Sequence, residues 1–265
     1  LIPLSLTAQI NIGNNLENIS YERPVVEDAG ITVQANAQDA YQIVKRADEH
    51  LRGASQKAEM SIEVQRPKWS RTMDIKAWSL GNDYSFILIN APARDKGTVF
   101  LKREKEIWNW QPKIEKVIKL PPSMMMQSWM GSDFTNDDLV KESSILLDYT
   151  HEIIGDTLIL DRACYTIQLT PKPEAAVVWG KIKTFIDKND FLQLGSEFYD
   201  EDGYLINKME ASEIKSFGNK ILPSKMVMTP VEEEGQTTIL RYKSIEYNID
   251  IDEAFFSKQN MKRLR

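Results

Sequence analysis

The change in hydrophobic period after Gly53 constrains the fold of this 265-residue chain more than any other feature. Before Gly53, apolar side chains recur at helical spacing, at Ala40, Ile43, Val44, Ala47 and Leu51. After it, apolar and polar residues alternate, first around Ala58, Met60, Ile62 and Val64, as in strands with one buried face. The sequence therefore predicts one amphipathic helix, capped by Asn36 and ended by Gly53, followed by a β domain.

Further strand-like runs follow at short intervals as far as Tyr247, about eleven in all. They are joined by short links such as Gly81-Asn82-Asp83, Gly155-Asp156 and residues 200–203, and short links favour antiparallel neighbours. A sheet of this size must curl, close or split into layers. We therefore expect a mainly β (α+β) fold, in which a large curved antiparallel sheet wraps over the N-terminal helix.

Two short helical segments are predicted as well. Thr135 followed by Asp138 has the spacing of a capping box, which marks the start of a helix. Residues 252–256 are expected to form a single turn near the end of the chain.

The first 35 residues differ from the rest and leave two interpretations open. "LIPLSLTAQ" has the composition of the end of a secretory hydrophobic region, and Ala35-Asn36-Ala37 fits the small-x-small cleavage rule. These features favour export, whereas the alternative is a disordered N-terminal extension. We therefore expect a leader or extension over residues 1–35 and a single domain over residues 36–265.

Net charge and cysteine content exclude several functional classes. The formal charge of −6 disfavours binding to nucleic acids or to anionic lipid headgroups, since both need a cationic field. No apolar run reaches the roughly 18 residues that a transmembrane helix needs. Cys164 is the single cysteine, so neither an internal disulfide nor a cysteine metal site is expected, and it is predicted to be a small buried residue.

The chain also lacks the motifs of common catalytic and metal sites. It contains no G-x-S-x-G, H-E-x-x-H or glycine-rich phosphate loop. His50 and His151 are far apart, and the spacing of Asp133, Asp137 and Asp138 does not match a calcium loop. Copper bound by the three consecutive methionines is disfavoured because no histidine lies near them. We therefore expect no enzymatic activity, no metal and no cofactor.

A methionine-rich loop is the candidate functional segment. It contains Met124, Met125, Met126, Trp129 and Met130, between Pro121-Pro122, which forces an extended entry, and Gly131, which frees the exit. Methionine adapts to irregular apolar partners, so these residues are predicted to form a mobile lip over an apolar hollow. Trp108 and Trp110, two residues apart in a strand, are expected to form the wall with Leu120 and Phe134. The alternative is that the loop folds inward and closes the core.

Several long runs resemble a known family. "PARDKGTVFLKR", "WNWQP", "KVIKLPPSMMMQSWMGSDFTNDDLV", "LTPKPEAAVVWGKI", "EFYDEDG" and "FFSKQNMKRLR" are similar to the LolA-like outer-membrane lipoprotein-sorting proteins of Gram-negative bacteria. The resemblance covers about Gln38 to Arg265. It implies an incomplete antiparallel β-barrel, wrapped over helices, around an apolar cavity for acyl chains.

The resemblance also implies a function. Its best-known members are periplasmic carriers that move lipoproteins from an inner-membrane donor to an outer-membrane acceptor without catalysis. The expected ligands are therefore acyl chains of lipids or lipoproteins. The alternative is an envelope sensor, in which the same concave sheet binds a partner protein and lipid regulates that binding.

Overall fold

The computed structural model describes residues 29–141 and 145–264, and for residues 29–38 and 141 only the backbone is described. Helix α1 spans Ala29–Arg52 and the short helix α2 spans Lys258–Met261. Between them lie the strands β1 Ser55–Arg66, β2 Trp69–Leu80, β3 Tyr84–Ala91, β4 Val99–Arg103, β5 Glu106–Gln111, β6 Lys116–Lys119, β7 Tyr149–Ile159, β8 Arg162–Pro171, β9 Lys181–Asp187, β10 Gln193–Tyr199, β11 Leu205–Phe217, β12 Lys220–Pro230 and β13 Thr237–Tyr247.

The strands form one antiparallel sheet of thirteen strands in the order β6-β5-β4-β3-β2-β1-β13-β12-β11-β10-β9-β8-β7. Two sequential meanders, β1–β6 and β7–β13, are joined where β1 pairs with β13, from Gln56↔Tyr247 to Gln65↔Thr237. β6 and β7 are the outer edges, so the sheet is open. The predicted large antiparallel sheet is confirmed, with thirteen strands instead of about eleven.

Strand alternation gives the sheet two different faces. Ile62, Val64, Met73 and Ile75 are buried on the concave face, which we call the bowl, while Ser61 and Glu63 lie on the outer face. α1 packs on the concave side, because its Ala40, Val44 and Ala47 form a buried cluster with Ile167 of β8 and Ile186 of β9. The C-terminal segment covers the outer face of β3–β5 through Phe256 and Met261.

The end of α1 fills a gap between β12 and β13. These strands pair only from Lys225↔Arg241 to Met228↔Thr238 and then separate. In the gap, a His50 ring nitrogen lies 2.9 Å from the Ile221 carbonyl oxygen, and the Tyr247 hydroxyl donates to the Leu51 carbonyl at 3.0 Å. The Lys220 ammonium donates to the His50 carbonyl at 2.8 Å, which suits the negative end of the helix dipole.

The structure corrects two predicted boundaries. α1 begins at Ala29, so Asn36 lies inside the helix and is not its cap, while the predicted end is confirmed by Gly53 with φ of +69°. Gly155-Asp156 is not a hairpin turn, because it lies within β7, where a bulge shifts the register between Ile153 and Gly155. The β7–β8 turn is instead made by Leu160-Asp161. The predicted leader falls largely on residues 1–28, which lie outside the described part.

None of the described helices is long and apolar enough to cross a membrane.

Candidate functional site: the lip and the bowl

Residues 121–141, which we call the lip, follow β6 and fold back on themselves. The Trp129 N–H donates to the Phe134 carbonyl at 2.8 Å, and the Asn136 N–H donates to the Gln127 carbonyl at 2.9 Å. Short helical turns form at Pro122–Met124, Trp129–Gly131 and Asp137–Lys141. The lip is therefore a hairpin-like loop whose tip is at residues 129–133.

The lip buries its largest apolar side chains in the bowl. Trp129 is fully buried, and Met125 and Phe134 are nearly so. They share one core cluster with Ile62, Val64, Met73, Ile75, Phe100 and Ile107, and the Trp129 ring lies 5.6 Å from the Phe100 ring. Met124 and Met130 are half-buried against this cluster, whereas Met126 is 70% exposed. The five predicted lip residues therefore occupy three different environments, and the loop does fold inward.

An ion pair fixes the tip of the lip to β1. The Arg66 guanidinium donates to both carboxylate oxygens of Asp133, at 2.9 and 3.1 Å, and to the Gly131 carbonyl at 3.0 Å. The Thr238 hydroxyl of β13 donates to the same carboxylate at 2.7 Å. The exposed fractions of the Arg66 and Asp133 side chains are only 12% and 6%, so water screens this pair weakly.

A second arginine holds the neighbouring backbone. Arg71 of β2 donates from Nη2 to the Met130 carbonyl, and its Nη1 lies 3.7 Å from an Asp95 carboxylate oxygen. Met130 and Gly131 both have positive φ, 52° and 77°, so the tip makes a tight turn that presents its carbonyl oxygens to the two arginines.

The other end of the lip is fixed by Asp138. Its backbone N–H donates to the Thr135 hydroxyl at 3.1 Å and its carboxylate accepts from the Thr135 N–H at 2.8 Å, which confirms the predicted capping box. The Trp179 indole donates to the same carboxylate at 2.9 Å. Burial raises the pKa of Asp138, although the hydrogen bonds from Trp179 and Thr135 act in the opposite direction.

The neighbouring Tyr149 is buried beside these carboxyl groups. Burial raises the pKa of its hydroxyl, and the charges of Asp137 and Asp138 raise it further. This end of the lip is therefore a buried acidic cluster closed by Trp179 and Tyr149.

A small cavity of about 100 Å³ remains between the lip and the bowl. It is lined mainly by apolar side chains, including Met60, Ile62, Ile75, Ile87, Trp129 and Leu240. Its volume is below the roughly 300 Å³ at which pockets for drug-sized ligands begin. Met125, Trp129 and Phe134 of the lip thus occupy part of the bowl. The Trp129 indole N–H is buried and has no hydrogen-bond partner among the described residues.

A larger hollow of about 580 Å³ lies at the gap between β12 and β13. Serines and charged residues, including Ser61, Lys215, Arg241 and Lys243, line it together with Phe217 and Tyr242. Ser61 belongs to the outer face of the sheet, whereas Tyr242 also lines the small cavity. Its serine, lysine and arginine side chains suit an acyl chain less well than the mainly apolar lining of the small cavity.

The structure corrects the predicted wall of the hollow. Trp108 and Trp110 lie on the outer face, where they pack with Phe256 and Met261, because Ile107 takes the inward position of β5. They therefore form no continuous surface with Trp129. Leu120 does pack against the same core cluster, and Phe134 is itself a buried residue of the lip.

Sequence reasoning missed the residues that hold the lip, Arg66, Arg71 and Thr238. Arg66 directly precedes Pro67 at the end of β1, where an exposed cation is ordinary. One signal was available: Asp133 directly precedes the apolar Phe134 in a segment that can fold inward, and a buried carboxylate needs a cationic or hydrogen-bonding partner.

Within residues 29–141 and 145–264, no group of three or more His, Cys, Asp or Glu side chains is arranged to hold a metal ion.

A family model described as "Uncharacterized protein" matches residues 81–263, which is more than half of the chain. A comparison with curated proteins gives no match.

Three solved structures share the fold. A DUF1329 family protein from Desulfovibrio piger ATCC 29098 is 21% identical with a TM-score of 0.77, over 85% of this chain and 99% of the other. A candidate outer membrane lipoprotein-sorting protein domain from Vibrio parahaemolyticus is 22% identical with a TM-score of 0.77, over 86% and 100%. A LolA superfamily protein from Nitrosomonas europaea is 21% identical with a TM-score of 0.72, over 83% and 98%. The chain therefore has the LolA-like fold.

Proposed function

The chain belongs to the family whose model matches residues 81–263 and has the LolA-like fold, and on this premise we propose that it is a non-catalytic carrier of acyl chains. Its ligands would be the acyl chains of lipids or lipoproteins, taken from an inner-membrane donor and passed towards the outer membrane through the periplasm. The observation that carries the proposal is the lip, whose apolar side chains fill the bowl where a guest would lie.

The lip and an acyl chain would compete for the same surface. Met125, Trp129 and Phe134 contact the bowl through apolar atoms only, apart from the Trp129 N–H that has no partner. Burying about fifteen methylene groups contributes on the order of 10 kcal/mol as an upper bound. Exposure of the displaced lip offsets much of this gain. The small net difference makes both uptake and release possible, as a carrier requires.

The unpaired indole adds a polar preference. A buried N–H without a partner costs about 1–3 kcal/mol. An ester or amide oxygen at the head of an acyl chain is an acceptor of the right kind for Trp129. Lipids and lipoproteins both carry such oxygens, whereas a plain hydrocarbon does not.

Lip opening is the step that the experiment addresses. The Arg71→Ala substitution removes the donor to the Met130 carbonyl at the tip without removing an apolar side chain of the bowl. We expect this variant to take up a fluorescent fatty acid faster than the wild type. Arg241→Ala is the matched control, since Arg241 forms an ion pair with Glu213 on the outer face.

Stopped-flow fluorescence measures uptake, and circular dichroism verifies that each variant is folded. Mass spectrometry of lipid extracted from the freshly purified protein tests the natural guest. Folded wild type and Arg71→Ala that both fail to bind the probe, with no lipid in the extract, would overturn the carrier proposal.

A further inference from the structure

The loops at the lip end of the sheet bring together side chains that are distant in sequence. Arg71, which follows the β1–β2 turn, lies 3.7 Å from Asp95 of the β3–β4 loop. That loop in turn lies beside the β5–β6 turn, because a Cβ added at Gly97 would lie 3.5 Å from the Pro112 ring. Three connections with their flanking residues, 67–69, 92–98 and 112–116, thus form one continuous stretch of the rim.

This stretch is basic and carries exposed apolar side chains. Lys68, Arg94, Lys96, Lys113 and Lys116 are all exposed, and they are its cations. Trp69 and Ile114 are 50% and 56% exposed among them. Glu115 is the exposed acid of this stretch, since Asp95 is largely buried beside Arg71. We call these residues the basic half-rim.

Two neighbouring turns of the same rim are acidic. The β12–β13 turn carries Glu232, Glu233 and Glu234, and the β10–β11 turn carries Glu201 and Asp202, all exposed. The two turns are neighbours, because the Val231 N–H donates to the Ile206 carbonyl at 2.9 Å. Pro67, beside Gly235, marks the border between the halves. Positive and negative side chains are therefore segregated around the mouth of the bowl.

We propose that the basic half-rim docks the mouth of the bowl onto an anionic lipid surface. Lysine and arginine near a bilayer are attracted to acidic headgroups, and tryptophan favours the interface between headgroups and acyl chains. Trp69 and Ile114 would enter that interface while the five cations contact phosphates. The described cations Lys68, Lys96 and Lys113 have no acidic partner within ion-pair distance, so docking breaks no existing salt bridge at these three positions.

The negative net charge does not oppose this docking strongly. From β5 to β13, the nearest strands of the β5–β6 and β12–β13 turns, the sheet has five strand spacings, roughly 24 Å. The Debye length at physiological ionic strength is about 8 Å. The acidic half is therefore screened from lipids that touch Lys113, and it favours a tilted approach with the basic half leading.

Vesicle sedimentation tests the proposal on the full chain. We expect binding to phosphatidylcholine vesicles that contain phosphatidylglycerol, little binding to phosphatidylcholine alone, and loss of binding at high salt. The double variant Arg94→Glu/Lys96→Glu should bind at least about tenfold more weakly. Lys105→Glu/Lys208→Glu changes the net charge equally, at the β4–β5 turn and on the outer face of β11, and should bind like the wild type.

Tryptophan fluorescence locates the contact. Acidic vesicles should shift the emission of the wild type to the blue, and Trp69→Phe should lose most of that shift. Docking does not need an occupied bowl, so its failure is separable from that of the carrier proposal. The docking proposal would be overturned if both double variants weakened binding equally, or if the protein did not bind acidic vesicles at all. This holds even if fatty acid uptake is intact. A protein partner would then remain as the ligand of the rim.

Discussion

Arg66 of β1 and Asp133 of the lip form a two-point ion pair in which both side chains are almost withdrawn from solvent. It joins the lip to β1, one of the two strands through which the two meanders pair. Its energy depends strongly on both partners being present, because an unpaired buried charge is costly.

The first prediction concerns this pair. Arg66→Ala leaves the Asp133 carboxylate with the Thr238 hydroxyl and no cation, and we expect it to lower the free energy of unfolding by about 3 kcal/mol. Arg241→Ala, which breaks an exposed ion pair on the outer face, should change it little. Urea denaturation measures both. Hydrogen exchange should also accelerate at residues 128–134 in Arg66→Ala, and equal stability of the two variants would contradict the assignment.

The second prediction separates two adjacent methionines. Met125 is 5% exposed and Met126 is 70% exposed. Met125→Ser removes buried apolar atoms and should cost about 3 kcal/mol, whereas Met126→Ser should stay within about 0.5 kcal/mol of the wild type. Thermal or urea unfolding of the two variants decides the matter. A similar loss in both would mean that the lip does not pack in the bowl as described.

The third prediction tests the close contact beside Trp179. A Cβ at Gly180 would lie 2.4 Å from the Asp200 carbonyl oxygen, so Gly180→Ala must push β9 away from the β10–β11 turn. We expect a loss of about 2 kcal/mol. Gly155 has no atom within 4 Å of the same position, and Gly155→Ala should be neutral or slightly stabilising. Denaturant midpoints of both variants measure the contrast, which disappears if the Gly180 backbone can move freely.

The fourth prediction concerns pH. The pKa of Asp138 is raised above its ordinary value of 3.8, so between these two values the folded state holds a proton that the unfolded state has lost. The contribution of Asp138 to stability is therefore greatest at low pH and is lost as the pH rises through the raised pKa. Asp138→Asn removes this dependence.

Urea midpoints of the wild type and Asp138→Asn over a pH series give the difference between them. The stability of the wild type relative to Asp138→Asn should fall as the pH rises from about 4. A shift in the opposite direction would mean that the hydrogen bonds from Trp179 and Thr135 outweigh burial.

The alternation of apolar and polar residues predicted the strands well, because a strand that buries one face places every second side chain in the core. The alternation at Ile62 and Val64 placed β1 and its inward side. The same rule put Trp108 and Trp110 on one face but could not say which, since the C-terminal Phe256 that covers them is distant in sequence. Gly155 was assigned to a turn because glycine is common both in turns and in bulges.

The contacts that hold the lip could not be derived from the sequence for a related reason. Arg66 and Arg71 flank the β1–β2 turn, where exposed cations are ordinary, and only the tertiary structure brings Asp133 and Met130 to them. The Met-rich composition indicated an apolar, adaptable loop. It did not distinguish Met125, which is buried, from Met126, which faces solvent.

The chain between β6 and β7 connects the two outer strands of the open sheet. If β6 and β7 move apart to admit a bulky ligand, the lip must extend or leave the bowl. The distance between the two outer strands and the position of the lip are therefore coupled. A displacement of either outer strand would therefore change the position of Trp129 in the bowl.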